Sequence, residues 1–200
     1  MSKTVEFYFD LGSPATYLGW TQLPALCARQ DAQLVYRPML LGGVFQATGN
    51  ASPVMVPAKG RYMFTDLQRF ADRYGVPFGL PPGFPVNTLT LMRGVIGTQV
   101  QAPMRFEALL KALFEGLWVH RRNLSDPVVL ADTLAQAGFD AEAFLALAGQ
   151  PEVKEALKQA TEKAVNRGVF GAPTCFVGEQ MFFGQDRLDF VEEALLRRAL

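Results

Sequence analysis

The sequence predicts an α/β fold in which a large all-helical insertion interrupts a small mixed core. Three observations carry this prediction. A strand, a helix and a strand follow one another at the N-terminus, two strands and a helix close the chain, and the residues between them show mainly helical periodicity. The core would comprise residues 1–42 and 169–200, with residues 43–168 as the helical insertion domain.

The N-terminal unit begins with a run of strand-forming residues at positions 5–10. Ser13 suits the cap position of a helix and Pro14 suits its first turn, so a helix is expected over residues 14–30, bent at Pro24. Residues 33–40 predict a second strand. This order and spacing are typical of a βαβ unit.

The middle of the chain is predicted to be helical, with two irregular stretches. Residues 42–57 are expected to form a loop because their glycines and prolines favour turns, and residues 75–85 are also rich in glycine and proline. Helices are expected over the following ranges: residues 59–74, 87–100 and 104–119. Further helices should begin near Asp126, Asp140 and Pro151.

The C-terminal unit returns to strand patterning. Residues 174–178 and 180–183 predict a hairpin, and residues 187–199 predict an amphipathic final helix. The complete order is βαβ, helical insertion and ββα. This is the order of a thioredoxin-like core with a helical domain inserted between its two halves.

Composition and charge exclude several classes of function. Lysine plus arginine number 19 in the 200 residues, as do aspartate plus glutamate, and no basic stripe predicts a nucleic-acid partner. No apolar run reaches the roughly 18 residues that span a bilayer. Residues 1–3 lead directly into the first strand without the features of a signal peptide. A cytoplasmic protein without membrane contact is therefore expected.

The two cysteines, Cys27 and Cys175, are far apart in sequence and form neither a Cys-x-x-Cys pair nor a metal-binding spacing. Both are expected to be buried thiols without a disulfide, and no metal site is expected. Dithiol redox chemistry would need cysteines in the turn before the first helix. The turn Ser13-Pro14-Ala15-Thr16 has none, which argues against a dithiol oxidoreductase.

Ser13 follows the turn Asp10-Leu11-Gly12 at the expected N-terminus of the first helix. One interpretation is that its hydroxyl only caps this helix. The other is a binding site, because backbone N–H groups at a helix N-terminus stabilise an anion such as a thiolate. Ser13 stands where a redox relative would carry its reactive cysteine.

Pro173 directly precedes the third predicted strand. In thioredoxin-fold proteins this place carries a cis-proline beside the active-site turn. A cis bond would leave the backbone of Ala172 free to pair with an extended peptide-like ligand. A trans proline that simply opens the strand is the alternative, but Ser13 and the order of elements favour the cis form.

Five motifs carry a resemblance to a known family over essentially the full length. In chain order they are Phe7-Tyr8-Phe9-Asp10-Leu11-Gly12-Ser13-Pro14, Gly49-Asn50 with Lys59-Gly60-Arg61-Tyr62, Asn87-Thr88-Leu89 with Arg93, Phe170-Gly171-Ala172-Pro173-Thr174, and Phe183-Gly184-Gln185-Asp186-Arg187. Each is weak alone, but their order and spacing are specific. The chain thereby resembles 2-hydroxychromene-2-carboxylate isomerases and kappa-class glutathione transferases, in the DsbA-like branch of the thioredoxin fold.

The resemblance implies that glutathione is the cofactor and that Ser13 is the catalytic residue. The Ser13 hydroxyl would donate a hydrogen bond to the glutathione sulfur and keep it as a thiolate, which a helix N-terminus also favours. Ala172, held by Pro173, would pair with the cysteinyl part of glutathione.

The resemblance places the remaining cofactor contacts at the two ends of the glutathione molecule. Asn50 and Lys59 match positions on the far side of the loop, where an ammonium suits the glycyl carboxylate. Gln185 and Asp186, at the start of the last helix, match contacts to the γ-glutamyl end. Local sequence alone leaves simpler interpretations open: Asn50 as a turn residue, Lys59 as a solvated lysine and Asp186 as a helix cap.

The implied substrate is a small aromatic carboxylate bound next to the sulfur. An arginine suits its carboxylate and aromatic side chains suit its ring. The candidates for this pocket are Tyr62, Phe64, Asn87, Arg93 and Trp118. The alternative for the aromatic residues is that they pack in the core.

Taken together, the resemblance implies a homodimeric, glutathione-dependent isomerase of aromatic degradation. It would interconvert 2-hydroxychromene-2-carboxylate and trans-o-hydroxybenzylidenepyruvate through reversible addition of a thiolate. Two alternatives stay open at this point. One is a kappa-type transferase or peroxidase that acts on another electrophile, and the other is a binding module without catalysis, which would not bind glutathione.

Overall fold

The computed structural model describes residues 3–197, and its centre is a four-stranded mixed sheet. The strands are β1 (Lys3–Phe9), β2 (Ala32–Pro38), β3 (Thr174–Val177) and β4 (Gln180–Phe183). Their order across the sheet is β2-β1-β3-β4. β1 pairs in parallel with β2 and antiparallel with β3, and β3 pairs antiparallel with β4. This arrangement confirms the predicted βαβ and ββα halves.

Nine helices are described in residues 3–197. They are α1 (Pro14–Arg29), α2 (Leu41–Thr48), α3 (Pro57–Tyr74), α4 (Leu89–Gln101), α5 (Phe106–Trp118), α6 (Pro127–Gln136), α7 (Ala141–Gly149), α8 (Pro151–Asn166) and α9 (Leu188–Arg197). Helices α2 to α8 lie between β2 and β3, so the predicted fold class, a thioredoxin-like core with an all-helical insertion, is confirmed. The last two residues of the predicted final helix, and residues 1–2, lie outside the described range.

The helices begin where the sequence places capping residues. Ser13 accepts a hydrogen bond from the Thr16 N–H (3.2 Å) at the start of α1. Asp126 accepts from the Val128 N–H (2.8 Å) at the start of α6, and Asp140 caps α7. These side chains satisfy backbone donors that the first helical turn leaves unpaired.

The predicted loop over residues 42–57 is wrong, because its first part is helix α2. The glycines Gly42 and Gly43 disfavour a helix locally, but tertiary contacts hold its start. The Leu41 N–H donates to a carboxylate oxygen of Asp10 (2.7 Å), and the Leu40 N–H donates to the Thr161 hydroxyl (3.0 Å). Contacts from distant parts of the chain therefore override the local propensity. A short 3₁₀ turn, Pro53–Met55, follows α2.

One continuous hydrophobic core joins the sheet to the helical insertion. The rings of Phe9 in β1 and Phe114 in α5 lie 6.2 Å apart. At the end of α5, the buried Trp118 donates its indole N–H to the Leu11 carbonyl (3.0 Å). The insertion therefore packs directly on the strand and turn that lead to Ser13. The division into two domains remains a prediction.

A close contact between α4 and α7 gives a stability prediction. A Cβ at Gly94 would overlap the buried ring of Phe144. We expect Gly94→Ala to lower the free energy of unfolding by about 2–3 kcal/mol, because the ring must leave its position in the core. Urea unfolding measures the change. Gly149→Ala is the control, since its Cβ would meet no atom within 4 Å; equal destabilisation by both variants would contradict the prediction.

The two cysteines are buried and free, as the sequence predicts. Burial raises the pKa of the Cys27 thiol to about 11 and that of Cys175 to about 12, so both are protonated at neutral pH. Over residues 3–197, no helix has the length and apolar character needed to cross a bilayer. The same residues contain no cluster of three metal-ligating side chains.

Candidate active site

A cleft of about 820 Å³ opens at the N-terminus of α1. Its walls come from the β1–α1 turn, α2 and the segment after it, α3, the segment before β3, and the turn after β4. This cleft brings the predicted catalytic residue, Ser13, together with five of the six predicted cofactor-binding residues: Asn50, Ala172, Pro173, Gln185 and Asp186. Residues as far apart in the chain as Ser13 and Asp186, which are separated by 173 positions, therefore meet at one place.

Ser13 caps α1 and also lines the cleft, so its two interpretations are compatible. Its hydroxyl accepts from the Thr16 N–H (3.2 Å) and donates to the Ala172 carbonyl (3.0 Å). The residue is 6% exposed. To donate to a ligand, the hydroxyl proton must turn away from the Ala172 carbonyl, while the oxygen can keep its capping bond.

The peptide bond between Ala172 and Pro173 is cis, as predicted. The Pro173 carbonyl accepts from the Gly184 N–H (3.0 Å), which ties this segment to the turn after β4. The sequence analysis expects both backbone groups of Ala172 to be free for a ligand. The structure differs for the carbonyl, which already accepts the hydrogen bond from Ser13.

The far wall of the cleft contains Asn50 but not Lys59. The Asn50 amide donates to the Phe170 carbonyl (2.8 Å), and its oxygen accepts from the Ala51 N–H (2.8 Å). Asn50 is therefore a turn residue that also faces the cleft. Lys59 is exposed and lines a shallow neighbouring depression together with Tyr62. Both lie beside the cleft rather than in its wall.

Gln185 and Asp186 lie in a 3₁₀ turn, Gln185–Arg187, rather than at the first residues of α9. Gln185 is 7% exposed, and its carbonyl accepts from the Tyr74 hydroxyl (3.0 Å). The Asp186 carboxylate forms an ion pair with Arg187. Gly184 occupies the cap position of this turn.

Three residues predicted for the substrate pocket lie outside the cleft wall. Trp118 is 0% exposed and its N–H is bonded to Leu11, so it packs in the core. Phe64 packs edge-on against Phe84, with ring centroids 5.5 Å apart. Asn87 is exposed and accepts from the Leu89 N–H (3.0 Å). Helical spacing of aromatic residues here reflects core packing.

Arg93 is also misplaced by the sequence prediction, because it lines a different cleft between α2, α4 and α8. The apolar side chains that face Ser13 come from other positions. Among those that line the cleft with it are Phe45 on α2, Met63 and Leu67 on α3, and Phe84. Phe45 was not predicted because it lies in the stretch expected to be a loop.

Asp10 does not line the cleft, but its carboxylate supports the turn before Ser13, a role that the sequence did not predict. It is 1% exposed, and its carboxylate accepts hydrogen bonds from the Gly12 N–H (2.8 Å) and the Thr88 hydroxyl (2.8 Å), as well as from the Leu41 N–H described above. One buried carboxylate thus joins the turn before Ser13, the start of α2 and the residue before α4. The feature of the sequence that could have indicated this role is an aspartate placed directly after an apolar strand.

The buried Asp10 gives a pH prediction. Burial raises its pKa above the ordinary 3.8, although the hydrogen bonds from Gly12, Leu41 and Thr88 act in the opposite direction. The native state therefore binds this proton more tightly than the unfolded state. Its contribution to stability is fully present below pH 3.8 and declines as the pH rises through the folded-state pKa.

We therefore expect the wild-type protein to lose stability relative to Asp10→Asn as the pH rises from about 4. Urea unfolding of both proteins across this range measures the difference. A difference that stays constant with pH, or that grows in favour of the wild type, would contradict the prediction.

The fold and the site together define a class of protein: a DsbA-like thioredoxin fold with a cis-proline opposite a capping serine and no cysteine in the active-site turn. The chain belongs to the family described as the DSBA-like thioredoxin domain, which matches residues 4–196. This confirms the resemblance identified from the sequence motifs.

Individual relatives agree with this assignment. The chain is 36% identical to a 2-hydroxychromene-2-carboxylate isomerase of Sphingobium xenophagum, over 98% of this chain and 100% of that protein. It is 30% identical to the human glutathione S-transferase kappa 1, over 98% and 92%. A solved 2-hydroxychromene-2-carboxylate isomerase superimposes with a TM-score of 0.86 at 29% identity, covering 98% of this chain and 96% of the other.

Proposed function

We propose that this protein is a glutathione-dependent isomerase that interconverts 2-hydroxychromene-2-carboxylate and trans-o-hydroxybenzylidenepyruvate. The observation that carries the proposal is the Ser13 hydroxyl at the N-terminus of α1, facing a cleft beside the cis Ala172–Pro173 bond. The protein offers no thiol of its own there, so the cleft suits a thiol brought by a small molecule. The full-length relatives named as isomerases support this reaction.

The cleft has the size and donor set for a tripeptide thiol. Its volume of about 820 Å³ lies in the range of small-molecule sites. Charged groups of both signs stand at one end, where Asp186 suits an ammonium and Arg187 suits a carboxylate. Asn50 stands at the other wall, with Lys59 just outside it.

Glutathione, when bound, supplies a thiolate that adds reversibly to the conjugated double bond and so permits rotation about it. The residues of the chain hold and activate this group. The Ser13 hydroxyl turns from the Ala172 carbonyl to donate to the sulfur, and the N–H groups of the first turn of α1 favour its negative charge. The Ala172 backbone aligns the cysteinyl part.

The substrate is proposed to bind against the apolar wall of the same cleft. Phe45, Met63, Leu67 and Phe84 offer a surface suited to an aromatic ring and keep water from the reacting carbons. Arg93, the arginine expected to hold the substrate carboxylate, lines the other cleft and takes no part in this proposal.

The test is the absorbance change of 2-hydroxychromene-2-carboxylate with this protein, with and without added glutathione. We expect rapid conversion that requires glutathione. Conversion of equal rate without glutathione would contradict the role of the cofactor, and no conversion by protein that binds glutathione would contradict the isomerase assignment.

The second candidate is a kappa-class transferase or peroxidase that acts on another electrophile. It is favoured by the 30% identity to the human kappa 1 enzyme over nearly the full length. Glutathione would occupy the same place in both cases, and only the apolar wall would serve a different substrate. A homodimeric state and a cytoplasmic location remain predictions.

A further inference from the structure

A second cleft of about 720 Å³ lies between α2, α4 and α8. It shares no lining residue with the cleft at Ser13. Helix α2 forms a wall of both, since Leu41 and Phe45 line the first cleft, whereas Gln46 and Ala47 line the second. The second cleft is therefore a separate space behind the active-site wall.

The base of this second cleft is apolar. We call the apolar residues that line this cleft its base: Leu157 is 2% exposed, and Leu40, Leu89 and Val165 are half-buried. The one buried hydroxyl there among the described residues, that of Thr161, is fully engaged, because it donates to the Leu157 carbonyl (2.8 Å) and accepts from the Leu40 N–H (3.0 Å). The base therefore suits the apolar body of a ligand.

The rim of the second cleft carries a surplus of positive charge. Arg93 on α4 and Lys154 and Lys158 on α8 line it, against the single carboxylate of Glu162. Lys158 lies 4.0 Å from Glu162, and both are largely exposed. Within residues 3–197, neither Arg93 nor Lys154 has a carboxylate within 4.0 Å. Two cations are thus available to a ligand.

We propose that the second cleft binds a small amphipathic carboxylate, with its ring system on the apolar base and its carboxylate between Arg93 and Lys154. The planar guanidinium of Arg93 matches a carboxylate, and Lys154 adds a second charge from the facing helix. The volume is that of a site for one molecule with a few rings. The proposal goes beyond the reaction at Ser13 and does not depend on it.

The test is calorimetric titration of the full chain with 2-naphthoate, compared with uncharged 2-naphthamide. We expect 2-naphthoate to bind in the millimolar range or tighter, and more tightly than the amide. The double variant Arg93→Gln/Lys154→Gln is expected to bind about tenfold more weakly, because it loses two exposed charge contacts. Raising the ionic strength should weaken wild-type binding in the same direction.

Two single variants serve as controls on the same helix. Lys163→Gln removes an exposed charge of α8 that does not line this cleft, and should leave the affinity unchanged. Glu162→Gln removes the carboxylate at the rim and should tighten binding, the opposite sign to the double variant. Circular dichroism checks that all variants are folded.

Several results would overturn the proposal. One is no binding of 2-naphthoate at millimolar concentration, and another is equal binding of the acid and the amide. A third is unchanged affinity in Arg93→Gln/Lys154→Gln, which would show that the ligand does not use these two cations. A dimer in solution in which a second copy of this chain covers Arg93 and Lys154 would overturn it as well.

Discussion

Replacing Ser13 with alanine is expected to lower turnover by about 100-fold. Losses of this size follow when an enzyme loses one preorganised hydrogen-bond donor to a negatively charged group. The hydroxyl is the side-chain donor that faces the cleft at the N-terminus of α1. The pKa of the bound glutathione thiol should rise in the variant, because one stabilising contact to the thiolate is gone. Steady-state rates and thiolate absorbance against pH measure the two effects.

The loss of the helix cap must be separated from the loss of chemistry. Ser13→Ala also removes the bond to the Thr16 N–H and should cost about 1 kcal/mol of stability. Asp140→Ala removes a cap of the same spacing at α7, outside the cleft, where Asp140 accepts from the Ala143 N–H (3.0 Å). We expect Asp140→Ala to keep wild-type turnover. Unchanged turnover in Ser13→Ala would remove Ser13 from the proposed mechanism.

Replacing Asp10 with alanine is expected to lower the free energy of unfolding by about 3–5 kcal/mol. The substitution leaves the partly buried N–H groups of Gly12 and Leu41 and the buried Thr88 hydroxyl without their acceptor. Each unpaired buried group costs about 1–3 kcal/mol. Denaturation in urea measures the change, and turnover should fall with it because the turn before Ser13 loses its support.

A graded series tests whether Asp10 acts through these three bonds. Thr88→Val removes one of them and is expected to cost about 1 kcal/mol. Asp10→Asn keeps one acceptor oxygen and should fall between Thr88→Val and Asp10→Ala. If Asp10→Ala costs no more than Thr88→Val, the carboxylate does not support the site in the way we infer.

The sequence predicted most of the fold because its helices carry local signals. Ser13, Asp126 and Asp140 stand at helix starts, and each caps its helix in the structure. Helix α2 carries no such signal. Its start is held by Asp10 and Thr161, residues 31 and 121 positions away from their partners. No local pattern contains that information.

The candidate site was predicted only in part, because here too the sequence carries local signals for some residues and none for others. Backbone-defined positions, such as Ser13 at a helix start and Pro173 before a strand, were placed correctly beside the cleft. Side chains on the helical insertion were not. Trp118 and Arg93 lie on helices whose exposed and buried faces depend on which neighbour packs against them, and periodicity alone does not identify that neighbour.

The bonds of Asp10 bear on how the protein matures during synthesis. Asp10 leaves the ribosome 78 residues before Thr88, the residue whose hydroxyl its carboxylate accepts from. Another part of the cleft wall, with Pro173 and Gln185, emerges later still. A nascent chain therefore contains its proposed catalytic serine long before the cleft around that serine can form. The cleft therefore cannot assemble until the segments on both sides of the helical insertion have been made.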